Sequence, residues 1–94
     1  MKFPAWVESP PEQAEDARAS KRLQYIIKQA AIGLVPDGSM SKFACLCAVD
    51  RTSMHTHIRN GSFSAAMAVA IEKAVGREMI RHEDLMRPLE IVAE

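Results

Sequence analysis

Residues 41–61 read SKFACLCAVDRTSMHTHIRNG, and this stretch decides the fold. A short helical run is expected from Met40 to Cys47, capped by Ser39 or Ser41. A second run begins at Arg51, where the Asp50 carboxylate can accept from the backbone of Thr52 or Ser53, and Asn60-Gly61 stops it. Two helices that cross steeply across about three residues need small side chains at their closest approach. Ala44 on the first run and Ala48 in the turn meet that need, with apolar Val49 beside them. Met54 and Ile58, four residues apart, return apolar contacts to the core from one face of the second run.

The remaining face of that second run is polar: Arg51, Thr52, Ser53, His55, Thr56 and Arg59. Together the two runs make a helix-turn-helix pattern, whose second helix enters the major groove of DNA with its N-terminal residues nearest the base edges. Arg51 has the chemistry to donate twice to guanine O6 and N7, and Thr52, Ser53 and Thr56 to bond bases or touch a thymine methyl. His55 shares their face, so these five are the expected base-reading residues. Ser41, Lys42, Arg59 and Asn60 are expected at phosphates, which position a protein without reading sequence. An ordinary solvated helix would carry similar residues. The coincidence of small residues, turn, spacing and a following helix favours recognition.

Upstream, Ser9-Pro10-Pro11-Glu12 is a helix-start signal, with Ser as cap, Pro at the first helical position and Glu at the third. From there to Ile32 nothing breaks a helix. Leu23, Ile26, Ile27, Ala30 and Ala31 form its buried stripe. Gln13 to Lys21 lacks large apolar residues and reads as an exposed lead-in. Gly33 is the expected left-handed cap and Pro36-Asp37-Gly38 a turn. Residues 1–9, with Phe3 and Trp6, read as an extended arm or a frayed terminus; the two aromatics suit a partner subunit or a folded-back packing. The expected organisation is an arm and lead-in over 1–22 and the helix-turn-helix domain over 23–94.

Downstream, Ser64 caps a helix from Ala65 to Val75, with Phe63 stapled onto its first turn and Gly76 ending it. Met67, Ala68, Ile71, Ala74 and Val75 supply its apolar face. Arg77 to Arg81 reads as extended, His82 to Leu85 as a turn, and Ile91-Val92 as a closing strand or ordered tail. The fold class expected is all-α, with four or five helices and a short C-terminal strand as an option.

A chain of 94 residues makes one domain. Its 12 Lys and Arg balance 12 Asp and Glu, so bulk charge does not point to nucleic acid. The distribution is more telling: residues 40–63 carry Lys42, Arg51 and Arg59 against Asp50 alone, while residues 64–94 hold four basic and six acidic side chains. The longest apolar stretches fall far short of the ~20 residues a spanning helix needs. Glu8 and the Pro pair interrupt any secretory signal. The expectation is a cytoplasmic protein without membrane partners, its two cysteines reduced.

At the segment quoted above the chain resembles the Cro and lambda-repressor-like helix-turn-helix family, closest to short prophage Cro-like regulators of the YdaS type. The resemblance extends through AAMAVAIEKAVGREMIRHEDLMRPLE, which looks like the family's fourth helix and its Asp-Leu-Arg-Pro ending, and covers roughly Leu23 to Leu89. It implies a DNA-binding repressor or regulator, usually a homodimer on a near-palindromic operator. The chain departs from the family pattern at four places. Ala48 stands where Gly is usual, His57 where a large apolar residue packs, Met86 splits the Leu-Arg-Pro run, and the segment before Leu23 is longer than in the shortest members.

Cys45-x-Cys47 and His55-x-His57 are zinc-ligand types, but residues two apart on a helix point to different faces, and zinc pairs of cysteines usually have two to four residues between them. Cys47 is therefore expected in the core and Cys45 outside it. A cysteine and a histidine without an orienting third group or an oxyanion hole do not make a nucleophilic site. No enzyme activity, metal or cofactor is expected. His57 is expected as a partly buried packing residue, and His82 beside Glu83 and Asp84 as a solvated turn residue. The rival to DNA binding is a protein-interaction module, such as an antitoxin or an adaptor, built on the same fold.

Overall fold

In the computed structural model, which describes residues 3–10 and 12–91, the chain is all helical, and no strand occurs among the described residues. Its elements in order are α1 (Ala5–Glu8), α2 (Glu15–Leu34), α3 (Met40–Leu46), α4 (Arg51–Asn60), α5 (Ala65–Val75), α6 (His82–Met86) and a 3-10 turn over Pro88–Glu90. Leu23, Ile27, Phe43, Met54, Ile71 and Leu85 are fully buried, one or two from each of α2 to α6. This single apolar cluster holds the helices together.

The central helix α2 starts later than its sequence signal. Ala14 precedes its first residue without a side-chain cap, and Glu15 and Asp16 favour the start by placing negative charge at the positive end of the helix. The chain before it must reverse direction so that the arm can lie back on the domain. Gln13 Nε2 donates to the Val7 carbonyl at 2.9 Å, and Lys21 Nζ to the Ser9 carbonyl at 3.1 Å. A helix running on from Pro10 would carry Phe3 and Val7 away from the core, where both are buried. Residues 3–9 of the arm are thus neither extended nor frayed: they contain α1 and fold back, while residues 1 and 2 lie outside the described residues. Pro11 of the expected start lies outside the described residues.

The lead-in expected over Gln13–Lys21 is exposed from Ala14 to Ala17, but Ala19 within it is buried, and Gly61 at the end of α4 approaches so closely that a Cβ there would sit 3.1 Å from the Ala19 Cβ. Arg22 ties three segments together. Its Nε lies 3.1 Å from Glu8 Oε1, its Nη1 donates to the carbonyls of Pro88 at 2.9 Å and Ile91 at 3.0 Å, and its guanidinium lies 4.5 Å from the Phe3 ring centre. α2 runs unbroken through residues 22 and 23.

Gly33 does not cap α2. The helix continues to Leu34, with the Val35 N–H bonding the Ala31 carbonyl, and the positive φ falls at Gly38 (φ 68°) in the Pro36–Gly38 turn. Gly33 instead makes room for Met79, whose Cε would lie 3.4 Å from a Cβ placed there.

The C-terminal third differs from its expected course. After Gly76 the N–H groups of Met79 and Ile80 both bond the Gly76 carbonyl, so residues 77–79 form a turn and not an extended run. That turn buries Ile80. His82–Met86 is a helix, favoured by Glu83 and Asp84 in its first turn, and it inserts Leu85 into the core. Ile91 follows the 3-10 turn as a bend, and Val92 lies outside the described residues. With six α-helices among the described residues, the count exceeds the four or five expected, the additional short ones being α1 and α6 at four and five residues.

Candidate functional site

The connection between α3 and α4 is built by two capping devices. The Ser39 side chain accepts from the Lys42 N–H to start α3, and an Asp50 carboxylate oxygen accepts from the Ser53 N–H at 2.9 Å to start α4. Between them α3 ends in a Schellman arrangement. The Val49 N–H bonds the Ala44 carbonyl and the Ala48 N–H the Cys45 carbonyl, both at 3.0 Å. That geometry demands a left-handed residue, and the chain supplies Ala48 at φ 57°. Glycine performs the same task at the end of α4, where Gly61 has φ 83°.

With Met54 and Ile58 buried, α4 leaves Arg51, Thr52, His55, Arg59 and Asn60 exposed. Arg51 Nη1 donates to Ser41 Oγ at 2.8 Å, so the two helix starts are joined at the surface. Thr56 is half-buried, and its hydroxyl donates to the Thr52 carbonyl at 3.0 Å. Ser53 is also half-buried and lines the groove toward α5 with Asp50 and Ser64, on the flank away from His55. Arg51, Thr52, His55 and Arg59 thus share one exposed face of α4, joined to α3 through Ser41, while Ser53 stands at its edge and Lys42 lines a separate groove with Leu34 and Leu46. Lys42 is held by Asp37 at 3.0 Å, and the bonds from the Ser39 N–H and the Lys42 ammonium keep the Asp37 carboxyl below its ordinary range.

On the other flank of α4, His57 is half-buried, its ring edge-on to Phe63 at 5.6 Å between centres. Its Nδ1 accepts from the Ser64 N–H at 3.3 Å. It therefore packs α4 against the start of α5, as the sequence suggests for the position of a large apolar residue. The cysteines separate by face: Cys45 is exposed, while burial of Cys47 pushes its thiol up to about 11.

Among the described residues, Glu72, His82 and Glu83 bring possible metal ligands within 4.8 Å of one another. The charge there is already matched. The Arg77 guanidinium lies 2.8 Å from Glu72 and 3.1 Å from Glu83, and the His82 ring lies 2.8 Å from Glu72 and 3.2 Å from Glu83. His82 is accordingly a link between α5 and α6 and not a free turn residue. Bonds from the His82 backbone N–H and ring hold the Glu72 carboxyl below its usual range.

Sequence reasoning missed a cleft of about 650 Å³ between α2 and α4, to which Lys28 and Gln24 contribute beside His55 and Arg59. The available signal was the spacing of Ser20, Gln24, Ile27 and Lys28, which places all four on one flank of a helix. No helix among the described residues is long and apolar enough to cross a membrane. No protein-family model, no curated protein and no solved structure matches this chain.

Proposed function

We infer that the protein is a sequence-specific DNA-binding transcriptional regulator that reads operator DNA in the major groove through α4, as a helix-turn-helix of the lambda-repressor-like kind. The observation that carries this reading is the composition of the exposed surface of α3 and α4. Arg51, Thr52, His55 and Arg59 stand on it beside Ser41, with Lys42 next along α3, above a core-facing side made of Met54 and Ile58. Arg51 is the leading base reader, Thr52, His55 and Thr56 accompany it, and Ser53 reads from the edge. Ser41, Lys42, Arg59 and Asn60 hold phosphates. The Arg51–Ser41 and Lys42–Asp37 contacts are exposed pairs of small net worth, so exchanging them for DNA costs little.

The resemblance to prophage Cro-like proteins makes repression the favoured mode and a homodimer in the cytoplasm the favoured form. The longest dimension of one copy, 35 Å, is close to a single ~34 Å turn of duplex, so two half-sites call for two copies. Selection from a randomised duplex pool tests the reading: a two-fold-related consensus is the expected product. A protein that sediments as a monomer on that DNA overturns the dimer.

A second reading, an antitoxin or adaptor that binds another protein, is favoured by the exposed apolar side chains Trp6, Ile32, Leu34, Leu46 and Met79. An apolar contact of that kind holds its strength as salt is raised, whereas phosphate contacts weaken through counterion release.

A further inference from the structure

The cleft between α2 and α4 has a composition that neither helix shows alone. Ile27, Met40 and Ile58 form its apolar part, and Lys28, His55 and Arg59 stand around it. No acidic residue lines it, in a chain whose acidic and basic residues are equal in number. Neither Lys28 nor Arg59 forms an ion pair with any described residue, so neither charge is already matched at the cleft. Lys28 comes from α2 and Arg59 from α4, so the two line one cleft only because the helices pack. At about 650 Å³ the cleft is within the range of small-molecule sites, roughly 300–1,000 Å³.

We propose that this cleft binds a small organic anion, a carboxylate or sulfonate on an apolar body, with Lys28 and Arg59 holding the charged end and Ile27, Met40 and Ile58 covering the rest. An inorganic anion leaves the apolar part wet, and a neutral alcohol leaves both cations without a partner. Each half of the ligand therefore adds binding that the other cannot replace. His55 and Arg59 also belong to the surface assigned to DNA, so the bound anion competes with DNA for them. That consequence rests on the DNA reading; the binding site does not.

The test is a titration of the isotope-labelled full chain, followed by amide chemical shifts. Octanoate and 1-naphthalenesulfonate are the probes, and octanol and inorganic phosphate are the half-ligands. Saturable shifts centred on Gly38, Met40, His55 and Arg59 are expected with at least one probe. Octanol, which lacks the charge, should bind at least about tenfold more weakly, the worth of one charge-assisted bond, and phosphate, which lacks the apolar body, should lose at least a similar factor. Lys28→Ala with Arg59→Ala should weaken the probe by a similar factor while the rest of the amide spectrum stays in place. The proposal is overturned if neither probe saturates, if octanol matches octanoate, if the double variant binds as well as the parent, or if the shifts centre on Leu34 and Leu46. A protein that binds the probe at this cleft but binds no duplex overturns the DNA reading alone.

Discussion

The Arg51 guanidinium donates to Ser41 Oγ at 2.8 Å, tying the first turn of α4 to the first turn of α3 across the surface. The bond draws Arg51 toward the start of α3, next to Lys42. One helix start thereby positions, on the other, the residue proposed to lead base reading. Arg51→Ala is expected to lower affinity for the selected DNA by ~1–3 kcal/mol and to relax preference at one base position. Ser41→Ala should have a smaller effect, spread evenly over sequences. Fluorescence anisotropy with matched and single-mismatch duplexes separates the two.

Ala48 is held at φ 57°, a conformation that costs a residue with a Cβ roughly 1–2 kcal/mol. Ala48→Gly removes that cost but adds freedom to the unfolded chain, worth about 0.4–1 kcal/mol in the opposite direction. The balance is a stabilisation of about 0.5 kcal/mol. Ala48→Val, β-branched in the same place, should destabilise by more than 1 kcal/mol. Urea unfolding of the three proteins measures both signs.

Arg22 is 5% exposed and bonds Glu8 and the Pro88 and Ile91 carbonyls. Arg22→Met keeps much of the packing volume but leaves a carboxylate and two carbonyls without their donor. A loss of about 2 kcal/mol is expected, chiefly from the buried carbonyl left unpaired, since Glu8 is partly exposed and can turn to water. Calorimetry reads the loss, and amide exchange should show the arm and the Pro88–Glu90 turn opening together.

The helix boundaries around the candidate site were legible because their signals are local. Ser39, Asp50 and Ser64 each bond an N–H three residues away, and Gly61 and Gly76 supply positive φ where they stand. The arm was not legible, because its position depends on Arg22 meeting carbonyls 66 and 69 residues further along. A basic residue in an Ala-rich stretch gives no sign of burial by itself. The turn at 77–79 and α6 were misread for a related reason: Glu72 organises them from the previous helix, accepting from His82 at both its backbone N–H and its ring. Of the candidate site, the polar face of α4 was legible from spacing. The half-burial of Ser53 and Thr56 was not, since it depends on the groove toward α5 and on the Thr56–Thr52 bond. Lys28 carries no sequence signal of its own, because its cleft exists only once α2 and α4 are packed.

The Glu72 link has a pH dependence of definite sign. A carboxyl whose folded pKa lies below its unfolded value adds stability at pH above the ordinary carboxyl range. That contribution is lost as pH falls through the lowered folded value. Glu72→Gln should therefore melt below the parent at neutral pH. The gap should narrow progressively as the solution is acidified past the ordinary carboxyl range. A gap independent of pH would place the effect of Glu72 in packing and not in charge.

The most direct test of the central claim is the affinity for selected duplex and for scrambled duplex of equal length, measured across a salt series. A regulator that reads DNA through α4 should bind the selected duplex ~10³-fold or more tightly. Both affinities should fall linearly on a double-logarithmic plot, by about 0.9 for each phosphate neutralised. Arg51→Ala should reduce the first affinity far more than the second. Equal, weak affinity for both duplexes, unaltered by Arg51→Ala, would contradict the account and leave α4 as the surface of a protein-interaction module.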